Sequence, residues 1–321
     1  MEHSPRYAVL FRTHVWDSFI ERQFSRLRQQ VGMGDVYIVA NNTAGTCPQV
    51  AGLPFMTFTE RDLESMGLAR GGPGEMLWNN VDYALYYFMR AYPEYDYYVL
   101  FEYDVVTNID IDDMMARILR DRVDLVGATK GPPVENWWFR KTCEDIYPAK
   151  DVVKMLLPVG IFSNRAARLL FERKLLLSKE FLDGTAQNWP HCEAFIPTEL
   201  SLAGFRLGEL SSYAAIARYS HEPAYLEEDT APLAANECVH PVLDTRRYIA
   251  STIRYEGRPE TFFIPGSAFR RKLARFPPGF YMPLLTNAFG RRLVAITRKL
   301  RKLFTGWSGI IRSRRAPSIF R

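Results

Sequence analysis

Apolar strand-like runs alternate with segments of helical periodicity, and this alternation constrains the fold more than any other feature of the sequence. Residues 7–11 (YAVLF) are apolar, residues 16–31 repeat apolar side chains at helical spacing, and residues 36–40 (VYIVA) are apolar again. A strand, a helix and a second strand in this order predict a parallel crossover unit.

The same alternation continues further along the chain. The segments that follow are, in order, an aromatic helix over about 75–91, a strand in 97–106 (YYVLFEYDVV), a helix over 110–121, strands at 124–129 and 156–163, a helix from Asn164 with that residue as N-cap, and a helix within 191–207 that Gly204 stops before a short strand. The pattern predicts an α/β fold with a mainly parallel sheet and helices on both faces.

Polar residues follow three of the predicted strands, at 12–14 (RTH), 41–43 (NNT) and 102–104 (EYD). In open α/β sheets, ligands bind outside the carboxyl ends of the strands. We therefore expect these three groups to converge on one edge of the sheet.

Glu102 and Asp104 are one residue apart, so on a strand both carboxylates project to the same side. Two carboxylates that close repel each other unless a cation lies between them or water screens them. A hard divalent ion such as Mn²⁺ or Mg²⁺ would bind carboxylate and diphosphate oxygens together. The alternative is that the strand has ended and the acids lie in a solvated turn.

The order of these segments resembles that of a glycosyltransferase of the GT-A fold, a Rossmann-type fold, over about residues 6–245. Residues 102–104 take the place of its acid-x-acid metal motif, although Glu102 stands where the commonest form has Asp. The segments YDYYVLFEYDVV, LPVGIFSNRAARLL and EAFIPTELSLAGFRL are similar to those of bacterial enzymes that build surface polysaccharide or lipopolysaccharide.

The resemblance implies roles for individual residues. Asp104 would bind the metal, and Glu102 would bind it through water or contact the ribose. The other residues expected at the donor are Arg12, Thr13, Asn41, Asn42, Arg70, Asn80 and Asp82. Asn80 and Asp82 also fit the polar face of a helix, and Arg70 also fits an isolated surface arginine.

Glu193 is the preferred general base, since transfer by direct displacement requires a group that takes the acceptor's proton. Its place near the start of a helix also suits a residue that only stabilises the helix dipole. Glu199 is the weaker alternative. His240, ahead of His221, is the preferred further metal ligand, although a lone histidine is often structural.

The expected acceptor-binding residues are Trp137 and Trp138, whose indole rings suit stacking on a sugar face, and His191, which would line the same site. A tryptophan pair also fits core packing. The glycines at 71–74 match neither a phosphate-binding loop nor a dinucleotide fingerprint, which argues against ATPase and dehydrogenase functions.

The net charge of +5 conceals an uneven distribution. All 36 acidic residues lie at or before Glu260, whereas 14 of the 41 Lys and Arg residues follow it. The sequence thus predicts an acidic catalytic domain over 1–260, which disfavours nucleic acid as a partner, and a basic extension over 261–321.

Within the extension, apolar residues recur at helical spacing among basic ones. The apolar set is Leu293, Ile296, Leu300, Leu303 and Trp307. This basic amphipathic helix predicts contact with an anionic membrane surface. The alternative is a helix that docks on protein and leaves a solvated charged face.

The prediction for the whole chain is a metal-dependent glycosyltransferase that moves a sugar from a nucleotide-sugar donor to a saccharide or lipid-linked acceptor. Inversion at the anomeric carbon is expected on the basis of Glu193 alone. The four cysteines show no paired spacing, the N-terminus does not resemble a signal peptide, and no apolar run reaches about 18 residues. These features favour a cytoplasmic protein, peripheral on the inner face of a membrane. The alternatives are a sugar-phosphate nucleotidyltransferase, whose usual glycine- and lysine-rich loop is missing after residue 11, and a non-catalytic carbohydrate- or membrane-binding protein.

Overall fold

A computed structural model describes residues 6–47, 50–71 and 76–313, with side chains as far as residue 298. The described residues up to His221, together with Glu228–Val242, form one compact unit. Glu222–Glu227 and the residues from Leu243 onward form a second. The predicted division at residue 260, which rests on charge, falls inside the second unit and stays a prediction about where the basic extension begins.

The first unit is built on a sheet of seven strands. The strands of the described chain are β1 (Tyr7–Thr13), β2 (Asp35–Asn41), β3 (Phe55–Phe58), β4 (Tyr97–Glu102), β5 (Val106–Thr107), β6 (Leu125–Ala128), β7 (Leu156–Ser163), β8 (Leu207–Glu209), β9 (Tyr225–Leu226), β10 (Cys238–Val239) and β11 (Val242–Leu243). The sheet order is β3-β2-β1-β4-β7-β6-β8. Only β7 runs antiparallel to its neighbours, while β5 and β10 form a separate antiparallel pair. The predicted α/β fold with a mainly parallel sheet is confirmed.

Helices connect the strands. They are α1 (Ser18–Arg28), α2 (Glu60–Ser65), α3 (Met76–Asn79), α4 (Asp82–Ala91), α5 (Ile111–Arg120), α6 (Asn164–Leu182), α7 (Cys192–Leu202), α8 (Thr245–Glu256), α9 (Ala268–Leu273) and α10 (Pro278–Ser313). Short 3-10 helices cover Val134–Asn136, Trp138–Cys143, Leu210–Ser212, Glu227–Asp229 and Pro259–Phe263.

Two local predictions were wrong. The aromatic helix is interrupted between α3 and α4, where the Asn80 side chain donates a 2.8 Å hydrogen bond to the Met76 carbonyl and competes with the helical backbone. The N-cap of α6 is Ser163, whose hydroxyl accepts from the Ala166 N–H. Asn164 instead donates to the Tyr95 carbonyl at 2.6 Å.

The core of the first unit has two layers because side chains alternate across the central strands. Leu10 of β1 belongs to the layer formed with α4, α6 and α7, and Phe11 belongs to the layer formed with α1 and α5. Both residues are fully buried or nearly so. The sheet is thus covered on both faces.

In the second unit, α8, α9 and α10 pack around a small core of Ile249, Ile253, Phe269, Leu273, Tyr281 and Leu285. Across the described parts of both units, we find no helix with the length and apolar content required to cross a membrane.

Candidate active site

The carboxyl ends of β1, β2 and β4 lie at the same edge of the sheet because these strands are parallel neighbours. Arg12 and Glu102 are register partners on β1 and β4, and the Arg12 guanidinium donates a hydrogen bond to Glu102 Oε1. The groups at 12–14 and 102–104 are therefore brought together, as the strand order predicts.

A cluster of potential metal ligands lies directly beyond β4. Single ligand atoms of Glu102, Asp104 and His240 all lie within 4.8 Å of one another. His240 Nε2 is 3.7 Å from Glu102 Oε2 and 3.6 Å from Asp104 Oδ1. The side chains of Glu102 and Asp104 are 24% and 14% exposed, so the strand ends at Glu102 but the acids do not lie in a freely solvated turn.

Backbone contacts hold His240 against the acids. The segment after β10 is fixed by the 2.7 Å hydrogen bond from the Val242 N–H to the Asp104 carbonyl. His240 Nδ1 lies 2.6 Å from the Ser220 carbonyl oxygen, which cannot donate, so Nδ1 carries the proton and donates. Nε2 faces the two carboxylates, and without a metal the protonated ring points its Nε2–H at them. Because Nδ1 keeps its proton on the Ser220 carbonyl, loss of the Nε2 proton leaves the tautomer that a metal-binding histidine requires.

The two carboxylates have opposite electrostatic environments. Burial raises the pKa of Glu102, but the charge of Arg12 and the contact with His240 outweigh it and lower the pKa to about 2. Burial raises the pKa of Asp104 to about 6, with the negative charge of Glu102 adding to the effect and His240 opposing it. Burial lowers the pKa of His240, but Asp104 and Glu102 together raise it above its ordinary value.

The donor set fits a divalent cation. Asp104 Oδ1 is buried and accepts no hydrogen bond, with His240 Nε2 at 3.6 Å beyond hydrogen-bond distance, which is costly for a carboxylate oxygen. Two carboxylates and one imidazole nitrogen are ligands that divalent ions accept, and a cation here would relieve the repulsion that raises the pKa of Asp104. Glu102, Asp104 and His240 would hold it.

Glu193 lies near the start of α7, where its N–H donates a 3.3 Å hydrogen bond to Nδ1 of the N-cap residue His191. The Glu193 carboxylate accepts a hydrogen bond from the Leu157 N–H at the start of β7. Because β7 is antiparallel to β4, its start lies at the edge where β4 ends. Burial, together with the negative charge of Glu102, raises the pKa of Glu193 to about 8. Once ionised, a carboxylate with this pKa is a stronger proton acceptor than an ordinary glutamate.

A proline inside α7 ties Glu193 to β7. Pro197 has no N–H, so the Glu193 carbonyl has no helical partner four residues ahead. The Met155 N–H donates to that carbonyl at 2.9 Å. In the next turn, Val153 donates its N–H to Thr198 Oγ1 at 2.9 Å. Both the backbone and the side chain of Glu193 are therefore fixed by the segment that enters β7.

Aromatic side chains surround His191. Its ring stacks on Phe139 at 3.8 Å and 8°, and the Trp78 ring meets it edge-on at 5.2 Å. Trp137 meets Phe139 edge-on, whereas Trp138 is 76% exposed. Of the predicted acceptor residues, His191 and Trp137 thus belong to one cluster next to Glu193. Phe139 and Trp78 were not among the predicted site residues, because only the fold brings them to His191.

Four of the predicted donor-binding residues take part in contacts within the protein. Thr13 Oγ1 donates to the Val15 carbonyl. Asn41 Oδ1 accepts from the backbone and hydroxyl of Thr43, and Asn42 Oδ1 accepts from the Cys47 N–H. The Arg70 side chain, which is 54% exposed, forms an ion pair with Glu60. Their contact with a donor stays a prediction.

Asn80 and Asp82 have no exposed surface. Lys174 Nζ, also fully buried, lies 3.3 Å from both Asp82 Oδ2 and Asn80 Oδ1. Trp189 Nε1 donates to Asn80 Oδ1 at 2.8 Å, and the Lys174 ammonium lies 3.7 Å from the centroid of the Phe195 ring. The contacts of Asn80 and Asp82 join α3, α4, α6 and α7. Contact of either residue with a donor stays a prediction.

Comparison with known proteins gives little further guidance. No protein-family model and no curated protein sequence matches the chain. Among solved structures, the chain is similar to the crystal structure of mouse xyloside xylosyltransferase 1 in its apo form, with a TM-score of 0.39 and 10% sequence identity. The match covers 64% of this chain and 84% of the mouse chain.

Proposed function

We propose that this protein is a metal-dependent glycosyltransferase that moves a sugar from a nucleotide-sugar donor to a saccharide or lipid-linked acceptor. One observation carries the proposal. A ligand set for a divalent cation, Glu102, Asp104 and His240, lies at the carboxyl edge of a mainly parallel sheet, where the separately held acid Glu193 also lies.

The residues of the site would have distinct roles. Glu102, Asp104 and His240 would hold Mn²⁺ or Mg²⁺, and the bound ion would neutralise negative charge on the leaving diphosphate. Arg12 holds Glu102 ionised and in place. Residues of the 12–14 and 41–43 segments would contact the donor at the ends of β1 and β2.

Glu193 would act as the general base. It would take the proton of the acceptor hydroxyl as that oxygen bonds to the anomeric carbon. The bond from the sugar to the diphosphate breaks in the same step, and the nucleoside diphosphate leaves with the bonding electrons. Displacement from the opposite side inverts the anomeric centre. The cluster of His191, Phe139, Trp78 and Trp137 beside Glu193 supports an acceptor with a sugar ring.

The site is tested by thermal unfolding with nucleoside diphosphates, with and without Mn²⁺ or Mg²⁺. Wild type should be stabilised only when nucleotide and metal are both present, and Asp104→Asn should lose the stabilisation. Asp113→Asn is the matched control, because this carboxylate is 69% exposed and pairs with Arg117 on its own helix. An equal shift in wild type and Asp104→Asn would contradict the metal site.

A panel of nucleotide sugars then tests the reaction. Slow hydrolysis of one donor, with release of a nucleoside diphosphate, is expected from a glycosyltransferase. Formation of a nucleotide sugar from a nucleoside triphosphate and a sugar phosphate would instead identify the nucleotidyltransferase. If no donor is hydrolysed and no nucleotide stabilises the folded chain, the protein is not an enzyme of either class.

We also propose that the basic extension contacts an anionic membrane surface on its inner face, where acceptors for surface polysaccharide or lipopolysaccharide would be found. α10 spans much of the extension, and Leu293 and Ile296 on it are exposed. Leu300, Leu303 and Trp307 of the predicted amphipathic face lie outside the described side chains. Binding to anionic vesicles that weakens with salt and is lost on deletion of 289–321 is expected. Binding that survives the deletion would contradict this role.

A further inference from the structure

Two large apolar side chains are exposed side by side on a loop of the second unit. Phe263 ends the 3-10 helix Pro259–Phe263, and Ile264 follows it, with 62% and 56% of their surfaces exposed. Single exposed apolar residues are common on protein surfaces, but a contiguous apolar patch indicates an interaction site.

The loop that carries these residues is held by hydrogen bonds. The Ile264 N–H donates to the Thr261 carbonyl at 3.1 Å, and the Ser267 N–H donates to the Ile264 carbonyl at 3.2 Å. Arg271 of α9 donates to the Gly266 carbonyl at 2.7 Å. The exposed pair is therefore presented by an ordered loop.

The exposed pair continues onto α10. The Phe263 ring lies 5.3 Å from the Phe289 ring at an interplanar angle of 41°. Leu293 and Ile296 follow Phe289 at spacings of four and three residues, so the three share one side of the helix. Leu293 is 63% exposed and Ile296 is 41% exposed. We call the surface formed by Phe263, Ile264, Phe289, Leu293 and Ile296 the apolar rim.

Charge identifies the partner of the apolar rim. Residues 261–321 contain 14 basic residues and no acidic residue. Arg270 and Arg271 on α9, and Arg291 and Arg298 on α10, are exposed. A second copy of the chain would bring the same positive charges against them. Apolar side chains among basic ones complement the acyl boundary and headgroups of an anionic bilayer.

We propose that the Phe263–Ile264 loop is a second membrane contact, which inserts beside α10 so that the whole apolar rim lies at the boundary between headgroups and acyl chains of an anionic membrane. The inference rests on the membrane contact proposed above and is independent of the glycosyl transfer. Its new content is that the extension binds lipid through a folded surface and not through the helix alone.

Vesicle flotation of the full chain tests the loop. Phe263→Ser combined with Ile264→Ser should weaken partitioning into phosphatidylcholine vesicles that contain phosphatidylglycerol by about tenfold or more, since two apolar side chains lose their burial in lipid. Met33→Ser is the matched control, because Met33 is 77% exposed in the first unit. Unchanged partitioning of the double variant would overturn the inference.

A fluorescent probe gives a second measurement that does not depend on loss of binding. All four native cysteines are buried, so Phe263→Cys can be labelled selectively with an environment-sensitive dye. The emission should shift to the blue with anionic vesicles, whereas a label at Met33→Cys should not respond. No shift at position 263 in protein that has bound to vesicles would overturn the inference.

The remaining outcomes separate the two proposals. If wild type does not bind anionic vesicles, the membrane contact and the loop's part in it are both wrong, while the test of glycosyl transfer is untouched. If wild type binds anionic vesicles and the loop variants bind equally well, α10 contacts the membrane without the Phe263–Ile264 loop, and the inference is overturned. If Phe263→Ser with Ile264→Ser abolishes self-association seen by analytical ultracentrifugation and leaves vesicle binding intact, the apolar rim joins copies of the chain and the inference is overturned.

Discussion

Two groups of charged side chains in the first unit differ in how their charge is balanced. In the buried network, Lys174 pairs with Asp82 where neither side chain has exposed surface. At the edge of the sheet, Glu102 and Asp104 lie together, and His240 and Arg12 are the cations beside them. The network is closed to solvent, whereas both acids at the edge retain some exposure.

This difference in charge balance indicates a structural role for the buried network and a ligand-binding role for the acids at the edge. The buried pair is enclosed by protein, since Lys174 also contacts Asn80 and the Phe195 ring, and these contacts hold helices together.

Asp104 Oδ1 is buried without a hydrogen bond, as both oxygens of Asp82 are. Asp82, however, has the Lys174 ammonium at 3.3 Å, whereas Asp104 shares His240 with Glu102. Without a bound cation, the ionised Asp104 therefore destabilises the folded chain. Removing charge should therefore have opposite effects on stability in the two regions.

The largest expected effect on stability is in the buried network. Lys174→Met should destabilise the protein by about 3–5 kcal/mol, because it leaves the Asp82 carboxylate buried without its cation. Urea denaturation measures the change. Lys179→Met, at an exposed position of the same helix, should stay within about 0.5 kcal/mol of wild type. Equal stability of Lys174→Met and wild type would mean that the pair is not essential to the core.

At the carboxyl edge of the sheet, substitution of Glu193 should change the reaction rate more than the stability of the protein. Glu193→Gln should lower kcat by about 10²–10⁴-fold, since the amide cannot accept the acceptor's proton, and it should leave the donor KM nearly unchanged. Glu199→Gln on the same helix is the control, because Glu199 already pairs with Tyr147 and Arg173. A larger loss of kcat in Glu199→Gln than in Glu193→Gln would move the base to Glu199.

The pH dependence of kcat follows from the same group. The base must be ionised to accept a proton, so kcat should rise about tenfold per pH unit at low pH and level off above the pKa of Glu193. That pKa is raised to about 8 by burial and by the charge of Glu102. A cation bound at Glu102 would weaken the repulsion, so the midpoint should lie at or below pH 8. A profile that falls with increasing pH across this range would contradict Glu193 as the base.

Periodicity was sufficient to predict most of the sheet and its main helices, because burial of strands and helix faces leaves a regular apolar pattern. The convergence of Arg12 with Glu102 was also predictable, since both end parallel strands. The buried position of Asn80 and Asp82 was not, because their partner Lys174 lies more than ninety residues away and its burial breaks the usual rule for lysine.

Several features of the candidate site depend on contacts between residues far apart in the sequence, so local patterns could not predict them. His240 was preferred over His221 on local grounds, and the structure adds the physical reason in the contact between His240 Nδ1 and the Ser220 carbonyl. The stacking of Phe139 on His191 joins residues fifty-two positions apart and leaves no local pattern. The antiparallel direction of β7, which brings Leu157 to Glu193, depends on pairing with β4 and β6 and not on the composition of the strand.

The smallest expected effect has the opposite sign to that of Lys174→Met. In chelator, Asp104→Asn should stabilise the protein by about 1–2 kcal/mol at neutral pH, because it removes an ionised carboxylate that burial and Glu102 disfavour. The pKa of Asp104 in the folded protein is raised to about 6. The wild-type carboxyl group therefore contributes fully to folding stability below its unfolded pKa, and this contribution is lost as pH rises through 6. The advantage of the variant should therefore vanish near pH 4. Urea denaturation across this range, with Asp113→Asn as control, measures it. A variant less stable than wild type at neutral pH in chelator would show that the Asp104 carboxylate is already compensated by protein groups, as Asp82 is.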